Sequence, residues 1–248
     1  MADDAIVQLL RRAPFGFVGT VDHLGAATMK GVPIDDHTAV VLVDYVLHAP
    51  QAFTALQGQR ITVQLAPDKP LLTEGETAAF FAQSLAIGDT IAVAEIDRRP
   101  VTDVEQHLGD AAAFGADVAQ SNLKQDVEIA EGRDHFATAD AAVVGRVLRL
   151  ESTQRATFSE HDPDWWVAII DVYQVEKGDV ALGELPILYC NSIDVRWRNA
   201  PKPRASQEGV WVLHATEPPL RDFARFSLLH PNDYQPVDRL DALRATRG

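Results

Sequence analysis

The chain has 248 residues, 46% hydrophobic and 23% charged, the balance of a globular protein with enough apolar side chains for one large core or two smaller ones. Lys and Arg number 22 against 36 Asp and Glu, for a formal charge of −14; divided at residue 126 the halves carry −9 and −5, and both oppose nonspecific attachment to phosphate backbones or anionic membranes. Cys190 is the only cysteine, which excludes an intramolecular disulfide and any metal site built on several thiolates.

No basic segment followed by an apolar core opens the sequence, and no run of apolar residues is long enough to span a bilayer, so the expectation is a soluble, cytoplasmic protein. Residues 3–12 read as a short helix. Acids lie in its first turn and Arg11 and Arg12 in its last, Ile6, Leu9 and Leu10 make an apolar stripe, and Pro14 stops it. Residues 15–21 are a first strand. A Gly- and Asp-rich turn region, 23–37, leads to a long β-branched run at 38–47, a buried strand. Residues 60–65 alternate as a third strand and 67–70 form a loop. A fourth strand at 76–82, a tight turn at Gly88-Asp89 and a fifth strand at 90–96 follow. Pro100 and Thr102 with Glu105 mark a helix start of the capping-box type.

The second half repeats the first. After a helical stretch at 126–136, residues 143–150 (with Val144 on Val18) repeat the first strand at an offset of 126, and 165–175 repeat the long strand at 127, placing Val167 on Val40 and Asp171 on Asp44. Glu208-Gly209 falls near Glu74-Gly75 at 134, residues 226–229 on 91–94 at 135, and Pro236-Val237 with Leu240 on Pro100-Val101 with Val104 at 136. A steadily rising offset is what a duplication with loop insertions produces. The expected fold is mainly β with flanking helices: two tandem, OB-like five-stranded β-barrels from an internal duplication. Closure removes the exposed edges of so small a sheet, and the alternative is a small β-sandwich. Residues 1–108 form the first barrel, 109–122 a linker and 123–248 the second barrel. Gly19 and Gly145, inside strands, mark bulges or bends at barrel corners.

Residues 139–147 (Ala-Asp-Ala-Ala-Val-Val-Gly-Arg-Val), 167–175, Lys177-Gly178-Asp179 and 208–213 together carry a pattern that resembles the netrin-like version of the OB barrel. That resemblance covers most of the second half and implies a barrel fold there. The disulfide-forming cysteines of that family have no counterparts, so the protease-inhibitor role of some members is not implied.

Chemistry is sparse. His214, His230 and Cys190 could converge as metal ligands, but their spacing matches no local metal motif and each histidine fits a hydrogen-bonded strand end. Cys190 lacks a sequence-adjacent activating base and reads as a small buried hydrophobe. His161-Asp162-Pro163-Asp164 reads as a turn. Asp44 and Asp171, inside apolar strands, face solvent or lie buried against backbone amides; alternation favours solvent. The sequence therefore predicts no catalytic, cofactor or metal residues and no enzyme.

The partner-binding candidates are Trp165, Trp166, Arg196, Trp197, Arg198, Lys202 and Arg204. Consecutive Trp165-Trp166 and Phe80-Phe81 must each turn one ring away from its own barrel core, toward a helix, the other repeat or a partner protein. The basic run 196–204 suits a solvated loop or a patch that meets an acidic protein surface. The leading expectation is a non-catalytic interaction or assembly component that binds other protein subunits or itself. A binder of single-stranded nucleic acid or oligosaccharide comes second, and an enzyme with an unrecognised site third.

Overall fold

The computed structural model describes residues 3–88, 90–109, 116–153, 163–192 and 194–245. The chain forms two compact units, Met1–Glu128 and Ile129–Gly248.

In the first unit, α1 (Asp3–Arg12) precedes β1 (Phe15–Leu24) and β2 (Thr38–His48). A 3-10 turn (Gln51–Leu56) leads to β3 (Arg60–Gln64), β4 (Thr77–Ile87), β5 (Ile91–Arg99) and α2 (Val101–Leu108). The strands close in the order β1-β2-β3-β5-β4, all neighbours antiparallel except β3 and β5. Alternation sends Phe17, Val41, Val63, Phe80 and Val93 into the barrel, where Phe17 and Phe80 stack at 5.2 Å. The adjacent Phe81 is equally buried, on the outer face. It pairs with Gly16, over which Leu10 of α1 lies, and α2 packs on β4. Helices α1 and α2 thus cover the apolar exterior of this barrel.

The helix α3 (Ala116–Thr138) is longer than the expected 126–136 segment and takes in the second part of the expected 109–122 linker. It is followed by β6 (Ala141–Ser152), β7 (Trp165–Lys177), β8 (Gly183–Cys190), β9 (Glu208–Ala215), β10 (Phe226–Leu228), β11 (Tyr234–Gln235) and α4 (Leu240–Arg244). The sheet order β10-β8-β7-β6-β9-β11 is closed by a β10–β9 pairing, with β8 and β10 parallel. The second unit is therefore also a closed five-stranded barrel with the same connectivity, and β11 is an addition to β9. Its interior holds Val143, Val147, Ile170, Ile187, Trp211 and Phe226. Phe136 of α3 with Leu240 and Leu243 of α4 covers Val144, Val210 and Val212 outside. Among the described residues no helix is long and apolar enough to cross a membrane.

Ladder registers refine the repeat. A bulge falls between Val18 and Gly19 in β1 and between Val144 and Gly145 in β6. Gly19 faces Val43 and Ala78 where Gly145 faces Val172 and Gly209. The counterpart of Val40 is thus Ile169 rather than Val167, and that of Asp44 is Tyr173 rather than Asp171. Phe80 corresponds to Trp211, which places Ala78 on Gly209, and Val93 to Phe226. The offset does not rise steadily, because the 3-10 turn makes the β2–β3 connection longer than the β7–β8 one. The helix starts do match: Pro100 (φ −54°, ψ 144°) precedes α2, and Pro236 (φ −58°, ψ 148°) precedes the 3-10 turn that runs into α4. Neither proline position carries a side-chain cap, so the expected capping box at Thr102 and Glu105 does not form.

Candidate functional site

Among the described residues, a group of His and Asp side chains able to hold a metal ion lies in the second unit, where three separate elements meet. His135 sits in the last turn of α3, His214 near the end of β9, and His230 precedes and Asp233 closes a 3-10 turn, Pro231–Asp233, between β10 and β11. Local chemistry builds that turn. Proline opens it, the His230 Nδ1 accepts the Asn232 N–H at 3.2 Å, and Asp233 reaches back to the backbone. One Asp233 oxygen, Oδ2, accepts the N–H groups of Leu229 and His230 at 2.6 and 2.7 Å. The carboxylate is 1% exposed and fixed in orientation.

Its other oxygen, Oδ1, lies 2.6 Å from His135 Nε2, and His214 Nε2 stands 3.1 Å from the same His135 nitrogen and 3.8 Å from Oδ1. His230 stacks on His135 with ring centroids 4.2 Å apart and planes 24° from parallel. Burial and the neighbouring His135 charge lower the His230 pKa, against the pull of Asp233. Nitrogen and oxygen donors of His135, His230 and Asp233 lie within 4.8 Å of one another, close enough to share a cation. Of the three residues that sequence reasoning considered for convergence, His214 and His230 each pack against His135 and Cys190 lies elsewhere. His135 and Asp233 are the members it missed. They stand 98 residues apart, and no local spacing could announce them.

Cys190 instead belongs to an apolar cluster on the outer face of β7, with Trp165, Val167, Ile169, Leu188 and Ala224. Trp197, from the loop after β8, packs on this cluster and meets Trp165 edge-on at 5.8 Å. The outward ring of the Trp165-Trp166 pair is thus Trp165, only 8% exposed and covered by its own unit. Trp166 turns toward the barrel core and donates its indole N–H to Asp164 Oδ2 at 2.6 Å.

The loop itself is braced. The Trp197 and Arg198 amides donate to the Asp194 carbonyl, and the Arg196 amide to the Asp194 side chain. Lys202 Nζ donates to the carbonyls of Trp197 and Ala200 at 2.8 and 3.2 Å, and burial lowers its pKa. Lys202 is therefore an internal clamp, whereas Arg196, Arg198 and Arg204 remain exposed. The Arg196 guanidinium lies 4.8 Å above the Trp197 ring. Val195 beside it is 81% exposed.

Asp44 is half-buried and accepts the Thr20 hydroxyl at 2.8 Å, while Asp171 is exposed. His161 and Asp162 of the expected turn, and Asp89 of the β4–β5 turn, lie outside the described residues. In the first unit Glu95, buried with its pKa raised by desolvation, accepts the Ala66 amide at 3.0 Å. Asp97 beside it is held by Lys69 and Arg99. This charged network ties the β3–β4 connection to β5 and is structural. In comparisons with family models, curated proteins and solved structures, nothing matches this chain.

Proposed function

We propose that the chain is a non-catalytic binding component of a larger protein assembly, and that the loop at residues 194–204 of the second barrel meets an acidic face of its partner. One observation carries this reading: the loop is held rigid by its own hydrogen bonds while presenting exposed Val195, Arg196 and Arg198 on a tryptophan base. An aromatic-backed arginine beside an apolar residue is the composition of an interface hot spot. Preordering also lowers the entropy that binding must overcome. In a chain of charge −14, such a cationic patch selects acidic partner surfaces by complementarity.

Binding of single-stranded nucleic acid would use the same residues. The Arg196 guanidinium already covers one face of Trp197, which is the face a base would need for stacking.

Affinity isolation of the tagged full-length protein from its native cells tests both readings. The expected result is a stoichiometric protein partner that is lost in a Val195→Asp, Arg198→Glu variant of unchanged thermal stability. Retention of the same partner by that variant defeats the loop assignment. Salt-sensitive binding of single-stranded DNA, abolished by the same substitutions, would put the nucleic-acid reading first.

A further inference from the structure

We propose that His135, His214 and Asp233 form a binding site for a divalent first-row transition metal ion of the zinc class, with His230 as a flanking ring rather than a ligand. The first argument is distance. Ligands about 2.0–2.1 Å from a tetrahedral zinc stand roughly 3.3 Å from one another. The three atoms His135 Nε2, His214 Nε2 and Asp233 Oδ1 are separated by 2.6, 3.1 and 3.8 Å, values that bracket this edge length. They come from a helix end, a strand end and a turn, so no short stretch of chain imposed their convergence.

The second argument is the proton count. A neutral imidazole has one N–H donor and one lone pair. If His135 Nε2 gives its proton to Asp233, His214 Nε2 faces a nitrogen that is already committed. If His214 donates to His135 instead, the buried Oδ1 loses its donor. One proton serves one of these contacts, whereas one cation at the centre serves all three donors at once.

The third is the support around the carboxylate. Two backbone amides hold Asp233 Oδ2 and leave Oδ1 pointed at the histidines, the outer-shell bracing that orients ligating carboxylates. Two imidazoles and a carboxylate without thiolate suit Zn(II), Co(II), Ni(II) or Fe(II), and exclude a dedicated calcium or magnesium cage of oxygens. His230 is left out on chemical grounds. Its Nδ1 accepts the Asn232 amide, which places the ring proton on Nε2, where it blocks coordination. Three protein donors leave a fourth position for water or a small anion.

Metal-free, tag-free full-length protein titrated calorimetrically with zinc chloride tests the assignment, with cobalt chloride as the spectroscopic probe. The expected result is one equivalent of zinc bound at submicromolar affinity, a melting temperature raised by zinc and lowered again by chelator, and cobalt ligand-field bands. His214→Gln and Asp233→Asn should bind roughly 10–100-fold or more weakly. The exposed His23→Gln, in the first unit, should bind as the parent does. Asp233 also braces its turn, so its variant can lose stability. His214 is partly exposed on a strand end, and its variant keeps the test decisive. Absence of stoichiometric zinc binding by the folded parent overturns the proposal. So does parent-like affinity in folded His214→Gln, or loss in His230→Gln with retention in His214→Gln.

Discussion

Cys190 shows how far one residue's environment decides its chemistry. It is fully enclosed by Trp165, Leu188 and Trp197, and burial, opposed by nearby Lys202, raises its pKa. A thiol in that state is a poor nucleophile. In native buffer it should react with iodoacetamide orders of magnitude more slowly than a free thiol, and at the free-thiol rate in denaturant; rapid alkylation of the folded protein would contradict the packing. The sequence supported this reading because a lone cysteine beside a strand end, with no adjacent base, is a small hydrophobe by default. The histidines were legible only in part. His214 and His230 stood out as strand-end residues, but His135 looked like any polar residue of a helix face. Asp233 was not singled out, and its Pro-Asn-Asp stretch supplies turn chemistry that does not mark a ligand. A site assembled from long-range contacts has no period and no spacing to read.

At the scale of elements, alternation located the strands well, and β1, β2, β3 and β7 begin at the expected residues Phe15, Thr38, Arg60 and Trp165. It could not fix which residue of one repeat answers which of the other. A slip of two residues leaves every side chain on its proper face, so Val167 and Ile169 are equally good counterparts of Val40 until hydrogen-bond registers choose. Alternation did separate Trp165 from Trp166, but not what covers them. The outer ring is the better buried, because the loop at 194–204 folds Trp197 over it. Trp165→Ala should therefore cost about 3–5 kcal/mol and free the loop, while the half-buried Trp166→Ala costs less. Urea midpoints give the ranking, and trypsin cleavage after the exposed Arg196 and Arg198 in each variant reports the loop. Equal losses, or a loop undisturbed by Trp165→Ala, would show that the cluster does not hold it.

For the whole molecule, the duplication makes a symmetrical experiment possible. Gly19 and Gly145 occupy the same place in their barrels, each just after a bulge and each pressed against the neighbouring strand. A Cβ at Gly19 would lie 2.6 Å from Val41 Cγ1 and 2.9 Å from the Leu42 carbonyl. At Gly145 it would lie 2.6 Å from Ile170 Cγ2 and 2.7 Å from the Asp171 carbonyl. The side-chain carbons could shift, but the carbonyls belong to ladder backbone and cannot move without breaking β1–β2 or β6–β7 pairing. Each Gly→Ala substitution should cost about 1–3 kcal/mol, the usual range for overpacking a filled core. Gly145 has a further constraint, since its carbonyl accepts the indole N–H of buried Trp211 at 2.9 Å, and its variant should lie at the upper end. Each unit has its own closed barrel, interior cluster and helical cover, so calorimetry should resolve two transitions. Gly19→Ala should lower only one of them and Gly145→Ala only the other. Zinc added to the parent should raise the transition that Gly145→Ala lowers, because all three proposed ligands lie in that unit. One transition moved equally by both substitutions would mean that the barrels unfold as one body, and that the repeat is a unit of topology but not of stability.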